Sequence, residues 1–534
     1  MLLDSIAITD FPAFSKFDRE FNRHDSSLTS FVKWPATISH FKDVIQARQD
    51  YVTDRRLLYD VFSDQYSLLS DNKVSHALIS SLLSEETYTV VTAHQPCLFT
   101  GPAFVISKAI STIKLATQIQ NNYPQYKILP VFVIGSEDHD VEELNHCYLF
   151  GQKITWPTDQ KGPVGRYSLD TIGTVLDQVT PLLRSSKHGE ELIPLLKKAY
   201  NSTNTFAQAF QVMLHEILGP LGILILNTDD SRIKQSLKPI ILSEVTSSAS
   251  KPLVQKTQVE LKSIGYDPAA FVRDINFFYF GNGFRDRIEK KDGIYSIIGQ
   301  DKNFTEQEMK AEIEVHPEHF SPNVIMRPLC QEIILPNLAY VGGGGELSYW
   351  IERRHQFETL GIPYPMLVRR DSFMILQQEQ LDQLKYYKLT LADLAARPDL
   401  LINKVTESLS TSSIQLGDES KNIMEWMDHI RIKAEAIDKT LGPNVEGEKS
   451  KILKAIEGIE KKMLKAEKLK LEVQLNKVKK LQEKLMPDQG LVERKENFMT
   501  FYSEYGADWT HTLLQDFNPL DGLFKAVQVN SQAS

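Results

Sequence analysis

Three things that the sequence lacks exclude whole classes of protein. Its 534 residues include only three cysteines, Cys97, Cys147 and Cys330, which lie far apart, form no CxxC pair and leave an odd count. Such cysteines fit a reducing compartment better than a disulfide-bonded scaffold. No window approaches the roughly 18 apolar residues of a membrane helix, and residues 1–6 lack the basic start of a signal peptide. We therefore expect a cytoplasmic protein that does not cross a membrane.

The chain also lacks the excess of basic residues that nucleic-acid binding needs. Its formal net charge is -9, whereas contact with a phosphate backbone requires a basic surface. What is present is an ordinary globular composition, with 42% hydrophobic and 24% charged residues. At this length we expect roughly two to four structural units and no nucleic-acid partner.

An alternation of strands and helices predicts an α/β fold. Residues 88–92 are rich in strand formers, residues 103–119 carry apolar side chains at helical spacing, and residues 128–134 form an apolar run typical of a strand buried on both faces. A second helix and strand follow at residues 206–218 and 222–226. We predict a Rossmann-like parallel-sheet core over residues 1–375, interrupted by inserted connective segments at about residues 154–322.

The last third of the chain changes character. Apolar residues alternate four and three apart from Ile423 to Leu441, residues 441–444 break the helix, and the alternation resumes from about Glu448 to Met486 with a slip near Lys470. Two such helices joined by a short breaker predict an antiparallel coiled-coil arm over residues 376–490. Residues 491–534 are expected to pack back on the body.

Three polar segments stand where strands are predicted to end, which is where open α/β sheets bind ligands. In the first, His94 and Gln95 are expected to project into a crevice. Thr100 and Gly101 can cap the next helix and leave its N–H groups free for an anion, and Lys108 lies two turns into that helix. The alternative is a capped turn with a buried polar anchor.

The second segment, residues 135–146, has five carboxylates and two histidines within ten residues. We select Glu137, Asp138, His139 and Asp140 as catalytic candidates that act as a base, grip a substrate or hold a metal. If a helix follows Asp140, it places His139 and His146 on one face, and Asn145 and His146 become substrate-binding candidates. The alternative, that acids merely favour a helix start, is accepted for residues 142 and 143.

The third segment, residues 320–350, combines an arginine with a run of four glycines. Such a run lets backbone N–H groups approach a ligand closely, and a guanidinium can grip carboxylate or phosphate. The alternative is a tight loop that admits close packing. The substrate-binding candidates here are Arg327, Asn337, Tyr340, Gly342, Gly343, Gly344, Gly345, Glu346 and Tyr349.

These segments, in this order and before a heptad-rich arm, resemble the bacillithiol-synthesis cysteine-adding enzymes, the cysteine ligases. The matching residues are 100–102 with 108–110, 137–140 with 142–143 and 145–146, and 320–323, 327–328, 335–336, 339–343, 345–346 and 349–350. The resemblance implies that cysteine is attached through its carboxyl group to the amine of glucosamine–malate, which completes a thiol redox buffer. It also implies a Rossmann-like core and a homodimer formed through the coiled coil.

The hypothesis that follows gives each segment a task. The 137–140 acids would orient the sugar and help to deprotonate its amine, Arg327 with the glycine run would bind the malate carboxylates or a phosphate, and the Thr100–Gly101 turn with Lys108 would hold the activating group. Amide formation from a free carboxylate is uphill, so ATP is the expected activator, although no nucleotide motif is present. No metal is expected for this reaction.

Two alternative functions are compatible with the same sequence. One is a metal-dependent hydrolase that uses His139, Asp140 and His146. The other is a non-catalytic coiled-coil scaffold with a ligand-binding core.

Overall fold

The computed structural model describes residues 2–23, 26–67, 69, 73–281, 283–410 and 415–529. The chain divides into two compact units, one formed by residues 1–375 together with 493–534, the other by residues 376–492. No helix in these described ranges has the length and apolarity that crossing a bilayer would require.

The strands are numbered in chain order. They are β1 (Leu2–Ala7), β2 (Thr87–His94), β3 (Lys127–Ile134), β4 (His146–Leu149), β5 (Gln152–Thr155), β6 (Leu224–Asn227), β7 (Phe277–Gly281), β8 (Phe284–Lys291), β9 (Ile294–Ile297), β10 (Asn303–Thr305), β11 (Phe320–Pro322), β12 (Asn337–Gly342), β13 (Met366–Arg369), β14 (Ser372–Ile375) and β15 (Leu523–Val527).

The α-helices are numbered in the same way. Those of the first unit are α1 (Lys16–Asn22), α2 (Ser26–Thr29), α3 (Phe41–Gln49), α4 (Arg55–Ser67), α5 (Lys73–Ser81), α6 (Phe104–Asn122), α7 (Val141–Leu144), α8 (Gly173–Arg184), α9 (Leu192–Asn201), α10 (Phe206–Leu218), α11 (Ser231–Ser236), α12 (Lys238–Ser247), α13 (Ser250–Ser263), α14 (Glu306–Val315), α15 (Arg327–Ile334), α16 (Gly344–Ile351), α17 (Arg354–Leu360), α24 (Phe498–Tyr505) and α25 (Asp508–Asp516). Those of the second unit are α18 (Gln378–Tyr386), α19 (Leu391–Leu394), α20 (Pro398–Leu409), α21 (Gly417–Ile437), α22 (Gly442–Lys470) and α23 (Glu472–Leu485).

A five-stranded parallel sheet forms the centre of the first unit, in the order β13-β12-β2-β3-β6. Strands β2 and β3 are buried along almost their whole length, as their apolar runs require when helices cover both faces. The chain leaves β2 toward β3 and leaves β12 toward β13 on the other side. The strand order therefore reverses between β2 and β12, which is where such sheets open a ligand crevice. The predicted Rossmann-like fold is confirmed.

A second sheet, antiparallel and in the order β10-β9-β8-β7-β11, is built from the predicted inserted segment. A third sheet joins the ends of the unit, because β15 pairs with both β1 and β14. Residues 523–527 thus return to the first unit although more than a hundred residues of helical arm precede them.

In the second unit, α21 and α22 form an antiparallel pair. Lys449 binds Asp428, and the backbone N–H of Leu416 donates to Glu460. The contact that lies earlier along α21 is therefore made to a residue later in α22, as two antiparallel helices require. The expected bounds of the second helix were wrong. It begins at Gly442, because Pro443 is tolerated in a first helical turn, and it is interrupted at Leu471 near the predicted slip of the heptad pattern.

Candidate active site

A cavity of about 440 Å³ lies at the carboxyl ends of the central strands, entirely within the first unit. All three polar segments reach it, so their predicted convergence is confirmed. The sequence-selected residues that line it are His94, Gln95, Glu137, Asp138, His139, Arg327 and Glu346.

His94 and Gln95 extend from the end of β2. The Nδ1 atom of His94 lies 3.0 Å from the carbonyl oxygen of Gln95. Because a carbonyl only accepts, Nδ1 carries the hydrogen and Nε2 keeps its lone pair. Burial and the nearby Lys108 lower the pKa of His94 to about 4, so the ring is neutral at physiological pH. Gln95 donates from Nε2 to Asp138 Oδ2 over 3.0 Å.

The prediction that the turn at Thr100 and Gly101 binds an anion was wrong. Helix α6 begins at Phe104, and the N–H of Ala103 just before it donates to the carbonyl of Glu496 over 2.7 Å. The side chain of Asn497 donates to the carbonyls of Phe99 and Gly101. The turn is thus closed by a segment almost 400 residues away. Thr100 is fully buried, and neither Thr100 nor Gly101 lines the cavity.

Lys108 holds Glu346 instead of facing the cavity. Its Nζ lies 2.6 Å from both carboxylate oxygens of Glu346 and 2.6 Å from the carbonyl oxygen of Ala93. The hydroxyl of Tyr340 and the N–H of Gly343 donate to the same carboxylate at 2.7 and 3.0 Å. Burial alone would raise the pKa of Glu346, but the Lys108 ammonium and these donors bring it to about 2. Lys108 and Tyr340 therefore fix an ionised carboxylate in the cavity wall.

The glycine run connects β12 to α16, and its glycines do not line the cavity. A Cβ at Gly344 would overlap the carboxylate of Asp18, which is buried and accepts from Arg369 over 3.0 Å. Close packing, the alternative considered from the sequence, explains Gly344. At Gly345 a Cβ would meet open space. Ligand contact by Gly342, Gly343 and Gly345 stays a prediction.

Glu137 and Asp138, the two acids after β3 that line the cavity, each have a cationic neighbour. Glu137 is ion-paired with Lys234, whose Nζ also donates to the carbonyl of Phe320 over 2.9 Å, and burial raises the pKa of Glu137. Asp138 lies 3.9 Å from a guanidinium nitrogen of Arg285. Burial by itself would raise the pKa of Asp138, but Arg285 and the hydrogen bond from Gln95 hold it below its ordinary value.

Arg285 also sets the protonation of His139. Its Nη1 lies 2.8 Å from Nδ1 of His139, and since a guanidinium only donates, that nitrogen must accept. Burial and the Arg285 charge lower the pKa of His139. The ring is therefore neutral with its hydrogen on Nε2. Arg285 is itself fixed by Ser321 Oγ and the carbonyl of Pro322, each at 3.0 Å.

The helix expected after Asp140 is a single turn, α7, and the chain enters strand β4 at His146. The shared helical face proposed for His139 and His146 was therefore wrong. Asp140, Asn145 and His146 lie outside the cavity lining. Within the described residues, His139, Asp140 and His146 do not form a group able to hold a metal ion, which removes the cluster on which the hydrolase alternative depended.

Arg327 presents a guanidinium to the cavity. It donates to the hydroxyl of Tyr349 over 2.5 Å and to Gln331 over 3.4 Å, and its Cζ lies 5.8 to 5.9 Å from the ring centres of Tyr349 and Tyr340. Arg273 also lines the cavity, beside the ring of Phe271. Among the described residues, neither guanidinium has a carboxylate within 4.0 Å. These are the two cavity cations without an ion-pair partner in that part of the chain.

The prediction that Asn337 binds the substrate was wrong. Asn337 starts β12, at the amino end of the sheet and away from the cavity, where its buried amide donates to Glu332 over 2.8 Å. Sequence reasoning also missed Lys234, Arg273 and Arg285. Lys234 follows β6 by seven residues, so the rule that ligands bind beyond strand ends could have found it. The two arginines lie in the inserted segment, which offers no comparable signal.

Comparison with known proteins agrees with the fold. Residues 1–371 match the family model for the N-terminal Rossmann-like domain of bacillithiol biosynthesis BshC, and residues 373–529 match the C-terminal coiled-coil domain of the same family. Relatives named "Putative cysteine ligase BshC" occur in Christiangramia forsetii, 36% identical over 89% of each chain, and in Flavobacterium johnsoniae, 32% identical over 99% of this chain and 100% of the relative. The resemblance found from the motifs is confirmed, and the chain belongs to the bacillithiol biosynthesis BshC family.

Proposed function

We propose that the protein is a cysteine ligase of bacillithiol synthesis, which joins the carboxyl group of cysteine to the amine of glucosamine–malate. The observation that carries this proposal is the charge pattern of one cavity. The cavity contains the ionised carboxylate of Asp138 and the guanidinium groups of Arg273 and Arg327. Among the described residues, no carboxylate lies within 4.0 Å of either guanidinium group.

The two guanidinium groups suit the malate part of the substrate. Malate in the conjugate is a dianion, and a planar guanidinium binds a carboxylate through paired hydrogen bonds. Arg327 is held by Tyr349 and Gln331, which orient its fork without neutralising it. We assign Arg327, with Arg273, to the malate carboxylates. This assignment replaces the glycine run as the partner of Arg327.

The acid segment suits the amino sugar. Asp138 stays ionised and can accept from the ammonium or hydroxyl groups of the sugar, while Nε2–H of His139 can donate to a sugar oxygen. The nitrogen must lose protons as the amide forms, and Nε2 of His94 is an unprotonated acceptor on the same cavity wall. Glu137 is occupied by Lys234, so we assign it to positioning.

Carboxyl activation is the remaining requirement, and we propose that ATP supplies it. Transfer of a phosphoryl or nucleotidyl group from ATP to the cysteine carboxylate would release ADP or pyrophosphate and give an acyl phosphate or acyl adenylate. Attack by the amine on that carbonyl would then form the amide and expel phosphate or AMP. The phosphate would need donors other than those first expected, because Lys108 is committed to Glu346 and the Thr100–Gly101 turn is closed.

The test is incubation of the reduced protein with cysteine, glucosamine–malate and ATP, with the cysteinyl amide detected by mass spectrometry. Omitting each component in turn, and replacing the sugar by its N-acetyl form, should abolish the product. Asp138→Asn and Asp140→Asn form a matched pair, because the two acids are close in sequence but only Asp138 lines the cavity. We expect Asp138→Asn to lose roughly 10- to 100-fold more activity, the effect of one charge-assisted hydrogen bond. A folded protein that makes no amide with any nucleoside triphosphate would contradict the proposal.

We also propose that the coiled coil forms a homodimer in the cytoplasm. Several apolar side chains of α21 and α22 are largely exposed in the single chain, among them Trp426 at 63%, Ile432 at 62%, Ile437 at 84% and Leu469 at 69%. Apolar side chains on a heptad-rich arm are the usual means by which such helices associate. The three buried, unpaired thiols of Cys97, Cys147 and Cys330 are consistent with a reducing compartment.

A further inference from the structure

A second group of potential ligands lies outside the cavity, on the inserted sheet. His316, Glu318 and His319 occupy the turn between α14 and β11, and one ligand atom from each lies within 4.8 Å of the other two. The two imidazole rings stack at 4.9 Å with an angle of 20° between their planes. A tight helical turn stacks side chains three residues apart, which explains why His316 and His319 face the same way.

The surroundings of His319 are those of a metal-binding histidine. Its Nδ1 lies 2.8 Å from Oε1 of Glu312, and that oxygen also accepts from the hydroxyl of Tyr279 over 2.5 Å. A carboxylate at Nδ1 fixes the hydrogen there and leaves the lone pair of Nε2 free for a metal ion. Lys302, 4.0 Å from the same oxygen, keeps this carboxylate in place.

We propose that His316, Glu318 and His319 bind one zinc-class divalent transition metal ion, with water as the fourth ligand. Two imidazoles and a carboxylate are a zinc donor set, whereas magnesium and calcium prefer oxygen ligands alone. Ligand atoms around tetrahedral zinc are roughly 3.3 Å apart, given bonds of about 2.0 Å. His316 is exposed and Glu318 and His319 are partly exposed, so small side-chain rotations on this one turn can close the remaining gap.

The position of the turn gives the ion a structural role. Strand β11 begins directly after His319. The carbonyl of Phe320 accepts from Lys234, and Ser321 and Pro322 accept from Arg285, so this strand holds two cations of the cavity. A metal ion that ties residues 316–319 together restrains the start of that strand. The consequence is a zinc-dependent gain in stability.

The experiment uses the full chain without an affinity tag, stripped with a chelator and then dialysed against zinc or magnesium. Elemental analysis should give one equivalent of zinc per chain and none of magnesium, and zinc should raise the melting temperature. His316→Ala and His319→Ala should lose both effects. His355→Ala is the matched control, because His355 contacts two carboxylates, Glu260 and Glu358, but no second histidine within the described part of the chain.

Glu312→Gln separates a built site from a surface histidine pair, since it keeps all three ligands and weakens only the support of His319. We expect about 10- to 100-fold weaker zinc binding, the usual effect of removing such a partner. Equal zinc affinity in Glu312→Gln and the parent, or one equivalent of zinc retained by the histidine variants, would overturn the proposal. If either alanine variant melts early without metal, the Glu312→Gln comparison still decides the outcome.

Discussion

Replacing Lys108 by methionine should destabilise the first unit by about 3 kcal/mol at neutral pH. The side chain of Lys108 is fully buried and its ammonium contacts both oxygens of Glu346. Burial raises the pKa of Glu346, but Lys108, with smaller contributions from Gly343 and Tyr340, brings it from its ordinary 4.5 to about 2, a net shift of about 3 kcal/mol at roughly 1.36 kcal/mol per unit. Burial also lowers the pKa of Lys108 itself, so this value gives the order of magnitude of the loss. This agrees with the roughly 3 to 5 kcal/mol typical of removing one partner from a buried pair.

The loss of stability caused by Lys108→Met should depend on pH. In the parent protein the depressed pKa of Glu346 contributes stability that is fully present above pH 4.5 and is lost as pH falls toward about 2. Without the ammonium, burial instead raises the pKa of this carboxyl group, so it takes up a proton readily in acid. The difference between Lys108→Met and the parent should therefore shrink as the pH is lowered from 7 to 5.

Urea unfolding at both pH values measures the effect, with the fluorescence of buried Trp350, which shares helix α16 with Glu346, contributing to the signal. Adding Glu346→Gln to Lys108→Met should restore part of the loss, because the unpaired charge is removed. Lys114→Met is the matched control, since Lys114 lies on the same helix but, among the described residues, donates only to backbone carbonyls. Equal losses in Lys108→Met and Lys114→Met, or a loss that does not change with pH, would refute the reasoning.

Three further predictions concern the substrate, the thiols and the arm. Arg327→Met should lower kcat/KM for glucosamine–malate roughly 10- to 100-fold, mainly through KM, because it removes the guanidinium that we propose to bind a malate carboxylate. Steady-state kinetics checks this, with Arg354→Met as the control because the Arg354 guanidinium binds Glu358 on the surface. Burial raises the pKa of Cys330 to about 12, so iodoacetamide at pH 8 should label it in urea but not in the folded protein, and peptide mass spectrometry would expose the opposite result. Trp426→Glu should convert the proposed dimer to monomer in analytical ultracentrifugation without loss of helicity; an unchanged mass would contradict dimerisation through this surface.

The parts of the fold that could be predicted are those specified by neighbouring residues. Strand β3 is a buried apolar run and the paired helices α21 and α22 follow a heptad pattern, so local periodicity is enough to recognise both. The sheet formed by β1, β15 and β14 could not be predicted, because its partners are hundreds of residues apart and β1 is only six residues long. The same limit explains the error at Thr100, where Glu496 and Asn497 supply the missing contacts.

The candidate site was predictable at strand ends and unpredictable elsewhere. His94 and the acids after β3 follow parallel strands directly, so sheet geometry brings them together whatever the inserted segments do. Lys234 and Arg285 are single basic residues without a motif, and their partners lie 97 and 146 positions away in sequence. Tertiary structure alone shows that Glu137 and Asp138, two of the acids found from the sequence, are paired with cations that the sequence does not mark.

That neutralisation is what favours an anionic substrate. Three carboxylates line the cavity, and each has its own cationic neighbour: Lys234 for Glu137, Arg285 for Asp138 and Lys108 for Glu346. Among the described residues, Arg273 and Arg327 have no carboxylate within 4.0 Å, so two lining guanidinium groups stay unpaired, and their number equals that of the two negative charges of one malate group. A neutral or cationic substrate would leave both guanidinium groups uncompensated in a partly buried space, which is unfavourable. A dicarboxylate would remove that cost on binding, and for this reason our proposal has the malate end of the conjugate at the arginines and its amine near Asp138.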